Sequence, residues 1–215
     1  MKIRYILSSV ALASLSLTSC SDLDTAPEGN IITSDKKGEI LEEMPERGLA
    51  GVRAIFQGLS AYEPNNEAFG KIERHNDIGY PSVLMFTDAN TEDVVSDPNG
   101  YNWNGNSLDY SDRTYTSYES QMVWNDHYNA IYVANTVIKG YNTGEDPTNE
   151  EARFFYAQGL AARAYFYFNL AQLYQFTYKD NETKPCIPVV TDENTAKSQV
   201  EGTPCSTVEE TYTQI

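Results

Sequence analysis

Three thiols are present among the 215 residues, and their settings allow different chemistry. Cys20 directly follows Leu17-Thr18-Ser19, where an apolar run gives way to polar sequence. Small residues there suit a peptidase that cuts just before the Cys. Cys186 and Cys205 lie in a later, loop-like stretch. An exported compartment permits a disulfide between them, and two free buried thiols fit the sequence equally well. No Cys-x-x-Cys zinc or redox pair occurs.

A second chemical signal is Tyr101-Asn102-Trp103-Asn104-Gly105-Asn106. Aromatic faces stack on the apolar faces of sugar rings, and amides pair with hydroxyls. Tyr101, Trp103, Asn104 and Asn106 are therefore candidate glycan contacts. The competing reading plugs Trp103 into the core as a packing anchor, and it holds the edge because loop aromatics often do this. Trp124 lies on a regular apolar stripe and is expected in the core.

Other groups lead less far. Asp88-x-Asn90-x-Glu92-Asp93 opens like a calcium loop, but the sixth and twelfth positions are Asp93 and Asn99 where Gly and Glu are required. A helix end followed by a solvated turn explains it better. His75 and His127 are the two histidines, and Asp126 beside His127 is not expected to face it on a helix. No His-Glu-x-x-His or Gly-x-Ser-x-Gly occurs. Arg163 is expected to serve as a structural partner for a carboxylate. No metal, cofactor or catalytic residue is assigned.

The leader of residues 1–19 carries Lys2 and Arg4 before its apolar run, as an export signal does. The run is too short to span a bilayer, which needs about 20 residues. Leu17 to Cys20 resembles a bacterial lipobox, in which Cys20 becomes the acylated first residue. Three acyl chains there would hold the protein on a membrane without a spanning helix. Residues 20–40 begin polar, acidic and Pro/Gly-punctuated, and are expected to form a flexible tether. Residues 41–215 form the folded part.

Removal of 19 residues leaves 196, enough for one core. The whole chain carries a net charge of −16, which repels nucleic acid. The 16 Tyr, 8 Phe and 2 Trp suit either ligand contact or helix packing.

The elements that position these groups are mainly helices. Leu49, Val52, Phe56 and Leu59 predict a helix from Pro45 to Tyr62. Residues 63–80 read as a loop, and Pro81 opens a short helix with Val83, Leu84 and Met85. Residues from Asp88 to Tyr118 form a long irregular segment. Trp124, Tyr128, Ile131, Asn135 and Ile138 mark a helix from Glu119 to Tyr141. Thr148-x-x-Glu151 reads as the capping box of a third helix to Tyr174, whose buried side is Phe155, Gly159, Ala162, Phe166, Leu170 and Leu173. These two form an αα-hairpin. Residues 186–190 read as extended, and Ser206-x-x-Glu209 opens a last helix with Val208, Tyr212 and Ile215 on one face. The chain stops there in mid-helix, so the N-terminal part of a longer protein is expected.

Several stretches in order resemble the SusD/RagB family of outer-membrane nutrient-binding lipoproteins. They are the lipobox with residues 22–27; Thr87 to Val95 with Tyr101-Asn102-Trp103; Trp124-x-x-x-Tyr128-x-x-Ile131-x-x-x-Asn135; Gly159 to Leu170 with Arg163-Ala164-Tyr165; and Ile187 to Val190 followed by Thr207-Val208-Glu209. The resemblance implies a mostly α fold of tetratricopeptide-like helical hairpins with long irregular loops. It implies a binding role without catalysis or cofactor, at the exterior face of the outer membrane. The implied partner is a TonB-dependent barrel transporter over which the protein acts as a lid. The implied ligand is an oligosaccharide, or in some members a peptide. A lipid-anchored glycan hydrolase is the alternative from another class, and it needs two facing carboxylates in a cleft.

Overall fold

A computed structural model describes residues 34–57, 77–95, 100–142, 144 and 146–215. The expected loop from residue 63, together with His75, falls largely outside these residues, as do the leader and Cys20.

The frame is a helical hairpin. Helix α1 is Ser34–Glu43, and a 3-10 turn at Pro45–Gly48 runs into α2, Leu49–Gln57. Helix α3 is Tyr80–Ala89 and α4 is the short Gly105–Leu108. Helix α5, Tyr118–Tyr141, and α6, Glu150–Tyr174, form the hairpin. Strand β1, Pro185–Pro188, α7, Thr195–Glu201, β2, Cys205–Thr207, and α8, Val208–Gln214, complete the chain. The fold is mostly α, with hairpin packing of the tetratricopeptide kind. Helix α1 starts inside the stretch 20–40 expected to be a tether, and its Leu41 is buried in the core.

Local sequence explains the ends of the hairpin helices. The Ser117 side chain caps α5 by accepting from the Ser120 N–H. Asn149 caps α6, accepting from the Glu151 and Ala152 N–H groups at 2.9 and 3.2 Å. It takes the place expected of Thr148, because its amide oxygen reaches two orphan donors at once. Thr207 and Glu210 form a reciprocal capping box on α8, one residue later than the expected Ser206 and Glu209. That shift buries Val208 and Thr211 and leaves Ile215 at 37% exposure.

The core lies between α5 and α6, built from Ile131, Ala134, Val137, Phe155, Phe166 and Leu170 among others. Gly159 permits the close crossing: a Cβ there would sit 3.0 Å from Ile138 Cγ1 and 3.6 Å from the Ala134 carbonyl. Val52 and Ile55 of α2 join this core, whereas Leu49 and Phe56 are exposed. The buried stripe runs instead through Pro45, Gly48, Val52 and Ile55. The small Pro45–Gly48 turn seats against Tyr141, whose hydroxyl donates to the Pro45 carbonyl at 2.9 Å, and this rotates α2. A satellite cluster of Val83, Phe86, Met122 and Val123 fixes α3 on α5, with Leu84 and Met85 outside.

The segment after α6 is clipped to the hairpin by polar side chains. Arg163 Nη1 donates to Asn135 Oδ1 at 2.9 Å and to Asp192 Oδ1 at 2.8 Å. Asn135 Nδ2 donates to the Val190 carbonyl at 2.8 Å, and the Tyr167 hydroxyl bonds both the Val190 carbonyl and its N–H. Tyr128 donates to the Pro188 carbonyl at 2.7 Å. Arg163 therefore is the structural partner of a carboxylate. The ribbon of β1 and β2 is antiparallel, pairing Pro185 with Thr207 and Pro188 with Cys205.

One face of α6 is unusual. From Phe154 to Tyr174 its single charged residue is Arg163, which is buried. The side away from the core carries Phe154, Ala157, Ala161, Tyr165 and Phe168, all exposed. Leu173, expected in the core, is 45% exposed at the end of the helix.

Candidate functional site

The loop between α3 and α5 is built around one carboxylate. Asp112 Oδ2 accepts from Ser107 Oγ at 2.6 Å and from Asn90 Nδ2 at 2.9 Å. The Asp112 carbonyl accepts from Ser117 Oγ and Ser120 Oγ at the start of α5. Asn90, just past the end of α3, also takes the Arg113 side chain: Nε donates to its Oδ1 at 3.0 Å and Nη2 to its carbonyl at 3.2 Å. Arg113 lies 4.0 Å from the centroid of the Tyr110 ring. Asn90 thus belongs to a bracket joining two helices, and the acidic run after α3 is a solvated turn. Among the described residues no group of acids, His and Cys is placed to hold a metal ion.

This bracket presents the aromatic pair. Tyr101 and Trp103 are 88% and 50% exposed, with ring centroids 5.8 Å apart and planes tilted by 35°. The packing reading of Trp103 is corrected: the core is already filled by the hairpin, and half of the indole faces outward. Asn102 between them has φ 46°, and Tyr110 beyond α4 has φ 62°, both in the left-handed region. Gly105 makes room for the Asn102 amide, which a Cβ would meet at 2.2 Å.

The two candidate amides behave differently. Asn104 is half-buried, and its carbonyl opens α4 by accepting from Ser107 and Leu108. Asn106 is a brace: its amide donates to Glu119 Oε1 at 3.0 Å and its carbonyl accepts from the Ser111 and Asp112 N–H groups. Tyr101 and Trp103 therefore form an exposed aromatic pair, while Asn104 and Asn106 also make hydrogen bonds within the loop and to Glu119.

A groove of about 1040 Å³ adjoins the bracket. Phe86, Trp124, Leu173 and Tyr174 line it, together with the buried carboxylates Asp112 and Glu119. Trp124 packs against the core yet reaches this groove, 4.7 Å from the Tyr128 ring and edge-on to Tyr174 at 5.1 Å. Burial raises the hydroxyl pKa values of Tyr128 and Tyr174. Asp112 and Glu119 carry little signal in the sequence. The one local sign is Glu119 in a capped first turn, where an acid complements the helix dipole.

His127 is fully buried, between Tyr80 and Phe166. Its Nδ1 lies 3.2 Å from Asp126 Oδ2, against the expectation for helix neighbours. Cys186 and Cys205 are free thiols on the paired strands, with Cys186 half-buried and its thiol pKa pushed up chiefly by burial.

Residues 77–215 match a SusD-like family model described as starch-binding and associating with the outer membrane. This is more than half of the chain, and the chain belongs to that family. The fold superposes with a TM-score of 0.63 on a SusD-like carbohydrate-binding protein from Bacteroides vulgatus, at 22% identity over 79% of this chain. The match covers 33% of the Bacteroides vulgatus chain, so this chain spans about a third of that protein's length. No curated protein matches the sequence. Among the described residues no helix is long and apolar enough to cross a membrane.

Proposed function

We propose that this chain belongs to a cell-surface lipoprotein, anchored in the outer membrane through Cys20, that binds a nutrient oligosaccharide without chemically altering it. It hands the glycan to a TonB-dependent barrel transporter over which it acts as a lid. The observation that carries this reading is the exposed Tyr101–Trp103 pair, held by a hydrogen-bonded bracket between α3 and α5. Two tilted aromatic faces on a rigid mount suit the apolar faces of consecutive sugar rings, and a preformed mount lowers the ordering cost of binding. The starch-binding description of the family and the carbohydrate-binding designation of the Bacteroides vulgatus protein point the same way.

The test is titration with neutral oligosaccharides, beginning with maltoheptaose, on wild type and Trp103→Ala. Loss of one stacking face is expected to weaken binding about 10-fold or more, with the melting temperature unchanged. Equal binding by both proteins rejects the platform. A peptide ligand is the second reading, favoured by the apolar wall of the groove. It requires that peptides bind where glycans do not. The hydrolase reading requires product after prolonged incubation with a bound glycan.

A further inference from the structure

Gly105 has no backbone reason to be glycine. It is the first residue of α4, and its φ lies outside the left-handed region. Alanine is the better helix former at such a position. What alanine would lack is space. A Cβ at residue 105 would run into the Asn102 amide nitrogen and lie 2.8 Å from Asn102 Cγ and 3.0 Å from its Oδ1. The Asn102 side chain therefore rests on the bare Cα of Gly105. The Gly105 N–H donates to the Asn102 carbonyl at 3.1 Å, which closes a turn over residues 102–105. Asn102 is itself exposed, yet it holds φ 46°, a conformation that Asn tolerates better than most residues. It stands between Tyr101 and Trp103. In an extended chain, side chains two residues apart leave the same face side by side. Here a left-handed residue lies between them, and the ring planes meet at 35° with centroids 5.8 Å apart.

We infer that Asn102 and Gly105 are positioning residues for the aromatic pair: the Asn102 amide, seated on Gly105, holds residue 102 left-handed and so fixes the angle at which the two rings meet a sugar. The inference rests on the glycan reading above. Neither residue has to touch the ligand. A pair of rings set before binding does not have to be ordered by the ligand, so the lock acts on affinity. It acts little on folding, because the turn lies at the surface and the core is filled by the α5–α6 hairpin.

Trp103 and Trp124 are the two tryptophans, so Trp124→Phe makes Trp103 the sole indole. In that parent chain, Gly105→Ala, Asn102→Gly and the two together are titrated with maltoheptaose and with a panel of neutral xylo-, manno- and fructo-oligosaccharides. Thermal melts report folding, and time-resolved anisotropy reports the freedom of the Trp103 ring. Gly105→Ala is expected to weaken binding about fivefold and to loosen the ring, with the melting temperature unchanged. Asn102→Gly still permits the left-handed backbone but removes the amide, and a similar loss is expected. Adding Gly105→Ala to Asn102→Gly is expected to cost nothing more, because the atoms that the new Cβ would meet are gone. That non-additivity singles out the contact. If Gly105→Ala binds as tightly as its parent, or if the two losses add in full, the lock is overturned and the glycan function stands. A loss of binding that comes with a melting temperature lowered by several degrees also overturns it, since the turn then serves the fold. A parent chain that binds no glycan is instead the failure of the glycan reading, and the anisotropy series then decides the lock alone: a ring no looser in Gly105→Ala and Asn102→Gly overturns it.

Discussion

Tyr167 shows how much of this protein rests on single polar atoms. Its ring is fully buried, and its hydroxyl both donates to the Val190 carbonyl and accepts from the Val190 N–H. Burial pushes its pKa up to about 12 from the ordinary 10.0. The stability tied to this neutral hydroxyl is fully present below about pH 10 and is lost as pH rises through about 12. Tyr167→Phe is expected to cost about 1–3 kcal/mol at neutral pH, by leaving the Val190 groups unpaired. Its melting temperature is expected to fall less steeply than that of wild type between about pH 9 and 11.5, which a pH series of thermal melts checks. Residues of this kind are only partly legible in sequence. Arg163 reads correctly as a structural cation because an Arg on an apolar stripe needs an anion. Asp112 does not, since one acid among many in a loop has no periodicity to set it apart. Sequence alone tips Trp103 toward the interior, and only the filled hairpin core shows why it stays outside.

At the scale of elements, the hairpin governs the segment that comes after it. The strand and turn from Pro185 to Asp192 are tied to α5 and α6 through Asn135, Arg163 and Tyr167. The side chains of Arg163 and Asp192 are 8% and 9% exposed, so their ion pair is close to dry. Asp192→Ala leaves a buried guanidinium with Asn135 alone, and a loss of about 3–5 kcal/mol is expected. Hydrogen exchange should show protection lost first at residues 187–192, while the α5–α6 hairpin keeps its own; uniform loss over the whole chain would contradict this ordering. Helix identity is legible because apolar spacing repeats over many turns in α5 and α6. Helix edges are not, because Thr148 and Asn149, or Ser206 and Thr207, offer equivalent caps in sequence and geometry chooses between them. The rotation of α2 is invisible for a related reason: Pro45 and Gly48 pack through smallness, and smallness leaves no hydrophobic pattern.

At the scale of the molecule, attachment and folding are separate matters. Among the described residues no helix is fit to span a bilayer, and the anchoring proposed above is placed on Cys20. Expressed in a bacterium that acylates lipoproteins, Cys20→Ser is expected to move the protein from the membrane pellet to the soluble fraction. An unchanged distribution would remove the lipid anchor from the reading. The aqueous state that this variant enters bears on the outward face of α6. Phe154, Ala157, Ala161, Tyr165 and Phe168 give water an apolar strip opposite an apolar core, and a helix of that composition normally has neighbours on both sides. The chain's −16 charge works against any such neighbour of its own kind. Repulsion between copies extends only about 10 Å at 0.1 M salt and about 3 Å at 1 M. Ionic strength therefore sets the balance between two copies: dilute buffer keeps them apart, and salt lets the strips meet. Light scattering should record mass rising with added sodium chloride, and Phe154→Lys, at the most exposed aromatic of the strip, should suppress the rise.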